Sequence, residues 1–236
     1  METTTISAKI YLSYENGVVE NESFRRKQVF SSAQLLINNR HPFGCLHTWN
    51  EEVLAGNASA SYEAERNTID VFIPVVGPFV CRMGTASTLV TPGQLYAVAS
   101  ANSQQWTLSN PYSEAGTLIS FIHIGIRDLV NNNENRLLGF DLANTGTSNT
   151  LDLGSARFSI SRMTGRQVTS YRLTDPSHGL FVYALQGAFE VEGRLLHPGD
   201  GLALWNLREA EAEALSGDAL ICFFEHAYHL SAGAGQ

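Results

Sequence analysis

Carboxylates stand where this chain could do chemistry. Glu63 and Glu65 are separated by one residue, Asp70 follows, and Gln104, Trp106 and His123 lie downstream. On a β-strand, residues i and i+2 point to the same face, so Glu63 and Glu65 are expected to enter one interior together. Such a pair binds a hard divalent cation through oxygen; without a cation the two charges repel and one takes up a proton. The stretch Ser103–Trp106 adds no third anionic or imidazole ligand. The alternative is that both glutamates lie on a solvated strand edge or pair with Arg66. Trp106 would line or fill the same interior, its indole N–H requiring a partner such as Gln104 or Glu65.

The other candidates are histidines. There are seven, at 41, 47, 123, 178, 197, 226 and 229, and none has His-x-His spacing. His123 sits in an apolar run, FIHIGI, expected to be an inner strand, with its ring facing either the interior or the outer side of the sheet. His41 and His47 flank Phe43-Gly44 and read as surface loop. His226 and His229 follow the last expected strand and read as solvent-exposed. No Ser/His/Asp triad, phosphate-cradling glycine loop or nucleotide fingerprint is present, and Gly199-Asp200-Gly201 is a turn after Pro198.

The elements that must position these groups are short. Helical periodicity is nearly absent, while β-branched and aromatic runs are broken by Gly, Pro, Asn and Asp. Strands are expected at Thr68–Val76, Phe79–Met83, Gln94–Ala99, Leu118–Ile126, Arg157–Arg162, Leu180–Leu185, Ala188–Val191, Gly201–Trp205 and Ala219–Phe224. Short strands at this spacing imply a sandwich or barrel. An internal repeat sharpens the reading. Val71–Val98 and Leu180–Leu204 each run as an apolar strand ending in glycine, a return strand, a turn, a third strand, Pro-Gly and a further strand. Gly77 matches Gly187, and Pro92-Gly93 matches Pro198-Gly199. Glycine suits such junctions because they often need positive φ, and proline presets the preceding corner. Two similar β domains in tandem follow. Between them, residues 127–150, rich in Asn, Thr, Ser and Gly, read as a connection in which Leu137–Leu142 packs down as an anchor.

Composition limits the function classes. The 236 residues are 44% hydrophobic but only 16% charged, against about 25% charged in a typical globular protein; neutral polar residues fill the difference. Net charge is −8 and the one basic run is Arg25-Arg26-Lys27, read as a solvated edge or loop, so direct nucleic-acid binding through clustered cations is not expected. Cys45, Cys81 and Cys222 are odd in number and widely separated, which fits buried small hydrophobes in a reducing, cytoplasmic setting. No signal peptide is apparent at the N-terminus, and no apolar run approaches the ~20 residues of a membrane helix.

With these residues in view, the chain resembles the pirin-like bicupins. The frame Glu63-x-Glu65, four residues, Asp70, six residues, Gly77 has the spacing of the first cupin metal motif, whose first two positions are histidines and third a glutamate. FGCLHTWNEEVLAG (Phe43–Gly56) is similar to the family's FG-x-L and N-(D/E)-(D/E) lead-in. Asn110-Pro111, Leu118–Ile126, Val191–Leu204 and Ala219–Glu225 follow the pattern, which spans about Phe24 to Glu225. The resemblance implies an all-β chain of two tandem cupin jelly-roll barrels: an N-terminal barrel over 1–126, a linker over 127–150 and a C-terminal barrel over 151–236. It implies a metal site in the first barrel, built from a His-x-His pair and a later His and Glu, and an iron-dependent quercetin dioxygenase activity; one mammalian member is linked to transcriptional co-regulation. In this chain the pair falls on Glu63 and Glu65, and Trp106 or Thr107 takes the later histidine position.

The expectation is therefore a bicupin without the usual metal centre or other cofactor. It would bind a small organic molecule or a protein partner in a regulatory or interaction role, with Glu63, Glu65, Asp70, Gln104, Trp106 and His123 lining its pocket. The alternative is a quercetinase-like dioxygenase or an isomerase with iron, nickel or manganese on a carboxylate site. A third reading is an interaction module whose barrels are filled by side chains.

Overall fold

The computed structural model describes residues 6–32, 35–100, 104–127 and 134–228. In chain order its strands are β1 (Ser7–Tyr11), β2 (Gly17–Glu20), β3 (Phe24–Gln28), β4 (Leu46–Leu54), β5 (Ser59–Ala64), β6 (Thr68–Val76) and β7 (Phe79–Met83). They continue as β8 (Ala86–Val90), β9 (Gln94–Ser100), β10 (Gln104–Ser109), β11 (Ile119–Arg127), β12 (Arg136–Gly139), β13 (Ser148–Asp152) and β14 (Ala156–Met163). The last are β15 (Val168–Arg172), β16 (His178–Gln186), β17 (Phe189–Val191), β18 (Arg194–Leu196), β19 (Gly201–Trp205), β20 (Glu209–Ala214) and β21 (Ala219–Ala227). The chain is all-β and folds as two similar β units, as its strand pattern and repeat imply.

The N-terminal unit comprises the described residues of 16–42 and 46–140. A seven-stranded sheet, β12-β9-β6-β11-β4-β3-β2, faces a four-stranded sheet, β5-β10-β7-β8. The core between them draws Leu54, Phe72, Tyr96, Ile119 and Phe121 from the larger sheet and Tyr62, Phe79, Val90, Trp106 and Leu108 from the smaller. Period-2 alternation explains this: successive residues of a strand point to opposite faces, so Ile119 and Phe121 on β11, or Trp106 and Leu108 on β10, turn inward together.

The C-terminal unit comprises the described residues of 1–15, 43–45 and 141–236. It repeats the plan with β1-β19-β16-β21-β14-β13 against β15-β20-β17-β18, around a core that includes Leu180, Val182, Phe189, Leu202 and Phe223. The duplication extends to irregularities. Gly77 and Gly187 have φ of 70° and 75°, and Gly93 and Gly199 of 86° and 85°. Just before the first pair, the register slips by one residue in both units, at β6 against β11 and at β16 against β21. In β6 the slip lies beside Pro74, a residue with no N–H to give a ladder.

The unit boundaries differ from those expected from sequence. β1 pairs with β19 and so belongs to the C-terminal unit, not to a first barrel over 1–126. The stretch 127–150 is not a bare linker: β12 pairs with β9, and β13, which begins within it, pairs with β14. Residues 128–133 lie outside the described residues. The reason is that a short strand such as SAKIY carries no local signal naming its partner; the open edge of β19 supplies one from far along the chain.

Candidate functional site

The site is built on the inner face of the larger N-terminal sheet. Strand β4 turns Asn50, Glu52 and Leu54 inward, β6 turns Asp70 and Phe72, and β11 turns Phe121 and His123; all seven side chains are buried. Arg26 on β3 lies beside Glu52 across the sheet.

These groups form one polar chain. His123 Nε2 donates to Asp70 Oδ1 at 2.7 Å and Nδ1 to Glu52 Oε1 at 3.3 Å. Glu52 also accepts from Arg26 Nε at 2.9 Å, from the Tyr62 hydroxyl at 2.5 Å and from Asn50 Nδ2 at 3.3 Å. Glu52 is fully buried, and an isolated buried carboxylate would be costly. Burial pushes its pKa up, but His123, Arg26 and Tyr62 outweigh that and hold it down at about 2. For His123, burial opposes the charge while hydrogen bonds to Asp70 and Glu52 favour it, and the balance raises its pKa to about 9. Both ring nitrogens face carboxylate oxygens, a setting that favours the imidazolium. Burial, with the Glu52 charge, drives the Tyr62 phenol well above its ordinary value, so it remains a donor.

Aromatic rings wall the chain. Phe72 stacks on His123 with centroids 4.6 Å apart, Tyr62 meets His123 edge-on at 5.3 Å, and Trp106 lies parallel to Tyr62 at 6.2 Å. This geometry can hold charge and fix a proton between two carboxylates beside a flat apolar wall.

A quercetinase C-terminal cupin domain matches residues 145–225. YhhW from Escherichia coli is similar over 94% of this chain and 99% of its own, with 14% identity and a TM-score of 0.83. The bacterial pirin YhhW in complex with nickel(II), from Escherichia coli, is similar over 94% and 100%, with 15% identity and a TM-score of 0.83. The chain has the two-domain cupin fold. A quercetin 2,3-dioxygenase from Acinetobacter baumannii is similar over 93% of this chain and 86% of its own, with 12% identity and a TM-score of 0.72. No curated protein matches this chain.

Of the sequence-expected site residues, the structure brings together Asp70 and His123, and joins to them Trp106 through Tyr62 and Phe72. It does not bring in Glu63 and Glu65. Both are exposed, and Tyr62 and Ala64 take the inward positions of β5. The strand's parity decides this: with Tyr62 and Ala64 in the core, their acidic neighbours must face water, which also spares two carboxylates desolvation. Gln104 is half-buried opposite Ala64, where its Nε2 donates to the Ala99 carbonyl and the Ser100 hydroxyl. Trp106 Nε1 is buried with no hydrogen-bond partner among the described residues, so neither Gln104 nor Glu65 fills that expected role.

Sequence reasoning missed Arg26, Glu52 and Tyr62. Arg26 belongs to a basic run that reads as a solvated edge or loop, whereas the structure half-buries it against Glu52. The signal available was parity: Asn50, Glu52 and Leu54 alternate with Glu51 and Val53, and Leu54 must be core. His47 is not in a loop but on β4, beside Gly125, with Nε2 buried and unpartnered among the described residues. His226, expected to be exposed, lies fully buried in β21; His229 lies outside the described residues.

The interior donors do not fit the family's His-x-His, His and Glu centre. Tyr62 and Ala64 stand on β5, Trp106 pairs with Tyr62 from β10, and both nitrogens of His123 are held by carboxylates. Among the described residues, no group of three or more His, Cys, Asp and Glu side chains is arranged to hold a metal ion.

Proposed function

We propose that this pirin-like cupin binds a small organic molecule at its N-terminal barrel without a metal centre, in a regulatory or interaction role. The observation that carries the reading is the set of inward side chains on β5 and β10: a phenol, a methyl group and an indole stand on the strand segments to which the family resemblance assigns metal ligands. The methyl group and the indole offer a metal no ligand, and the Tyr62 phenol is committed as a donor to Glu52, with its pKa pushed up, so it is kept from the phenolate that binds iron. The aromatic wall of Tyr62, Phe72 and Trp106, beside a polar edge at Asp70 and His123, suits a flat organic ligand with a polar group. The dioxygenase reading loses its support in this chain because the carboxylates it relied on, Glu63 and Glu65, face solvent.

The test joins metal analysis to ligand binding. Protein purified and then exposed to iron, nickel or manganese should retain far less than one equivalent and should not turn over quercetin. Quercetin and other planar aromatics should be screened by quenching of tryptophan fluorescence, with Trp106→Phe assigning the signal. Saturable quenching lost in that variant supports the reading; one tightly held metal per chain, or quercetin turnover, overturns it.

A further inference from the structure

Within this buried cluster the charges balance without any added ion. Two cations, Arg26 and His123, face two carboxylates, Glu52 and Asp70, and the four are contributed by four neighbouring strands. Glu52 and Asp70 do not touch each other through any hydrogen bond; His123 is what joins them. We infer that His123 is held as an imidazolium that bridges Glu52 and Asp70 and ties β4, β6 and β11 together. The inference rests on the metal-free reading of the same barrel and adds what joins its two buried carboxylates: a proton.

The hydrogen-bond inventory makes the proton indispensable. An imidazolium donates from both nitrogens, whereas neutral imidazole has one donor and one acceptor. Deprotonation would therefore turn a lone pair toward one of the two buried carboxylates and leave it without its partner. Among the described residues, no other group facing His123 can supply the lost donor. On β3, Arg26 is committed to Glu52. On β4, Asn50 also serves Glu52, and burial lowers the pKa of His47 so that this second imidazole stays neutral. On β5, the Tyr62 hydroxyl is committed to Glu52. Arg127, at the end of β11, and Glu65, after β5, are exposed at the same end. The barrel should thus be indifferent to chelators and sensitive to alkali.

The deciding measurement is the imidazole ¹⁵N spectrum of the full chain, with His123 assigned through Asp70→Asn and through Tyr62→Phe, whose ring meets it edge-on. The expected result is a doubly protonated His123 at pH 7.5 that loses its proton only in the alkaline range, at a midpoint more than one pH unit lower in Asp70→Asn. In parallel, the urea midpoint of the wild type should fall as pH rises from about 6.5 to about 9 and level off above, with or without EDTA, and His123→Gln should lose that dependence. A neutral His123 at pH 7.5 in metal-free protein overturns the inference while leaving the metal-free function standing; a retained metal overturns the function. If His123→Gln does not fold, the wild-type spectrum still decides.

Discussion

His123 and Asp70 are joined diagonally: His123 stands opposite Phe72 on β6, and Asp70 stands opposite Gly125 on β11. The C-terminal unit makes the same diagonal with the roles exchanged. There Glu225 on β21 stands opposite Leu180, and His178 on β16 reaches it at 2.8 Å. In both units a tyrosine from the facing sheet, Tyr62 or Tyr171, donates to the buried glutamate of the cluster. Two residues out of register is the spacing at which long side chains still meet across strands. The duplicated fold has thus kept a cross-strand acid–histidine tie while exchanging which strand brings the acid.

Glu52→Gln should be among the most damaging single changes in the N-terminal unit. It leaves Arg26 and His123 without a shared carboxylate in a buried setting, at a cost of about 3–5 kcal/mol. Because both residues belong to one network, Glu52→Gln combined with His123→Gln should cost less than the sum of the two. Urea unfolding of the two single variants and the double variant checks this; additivity would show that the side chains act independently.

Strand parity on β5 is tested by neighbours. Glu63→Ala and Glu65→Ala, both exposed, should each shift stability by no more than ~0.5 kcal/mol. Tyr62→Phe, between them and the core, removes a hydrogen bond to a charged acceptor and should cost ~1.5–3 kcal/mol. Thermal or urea unfolding of the three variants would reverse this order if the glutamates were the inward residues.

His226 makes the C-terminal unit sensitive to acid. Burial depresses its pKa to about 4; Nδ1 donates to the Ala227 carbonyl, and Nε2 is buried without a partner among the described residues. The folded value lies below the ordinary one near 6.5, so the folded state binds fewer protons between them. Stability is unaffected above ~6.5, declines as pH falls toward 4 and levels off below, a total of ~3 kcal/mol. Denaturation measured from pH 7.5 to 4 should show the decline in the wild type and a smaller one in His226→Gln.

Gly77→Ala and Gly187→Ala should destabilise by similar amounts, about 1–3 kcal/mol each. Both positions are left-handed, and the added methyl would lie 2.8 Å from Ile119 in one unit and 2.8 Å from Ala219 in the other. Comparable losses on unfolding are expected; an effect at one site alone would contradict their equivalence.

Removing residues 1–12 deletes β1 and uncovers the edge of β19. Ile6 and Ala8 also pack on the C-terminal core. The truncated protein should unfold at lower urea and show faster hydrogen exchange at Leu202 and Leu204. Unchanged exchange there would show that β1 contributes nothing to the unit.

The amino-acid sequence by itself determined the β fold and its duplication. β-branched and aromatic runs bounded by turn residues placed β6 and β7 to the residue, and Gly77, Gly187 and the two Pro-Gly corners are backbone requirements that local chemistry encodes. What only the tertiary structure decided was direction and company. An alternating strand has two faces, and a one-residue difference in parity exchanges them; so Glu63 and Glu65, which match a metal motif by spacing, face water, while Tyr62 and Ala64 face the core. Glu52, an unremarked member of an acidic pair, became the centre of the buried network because strands β3, β5 and β11 deliver Arg26, Tyr62 and His123 to it. Those strands are distant in sequence, and no local pattern states which side chains will share an interior.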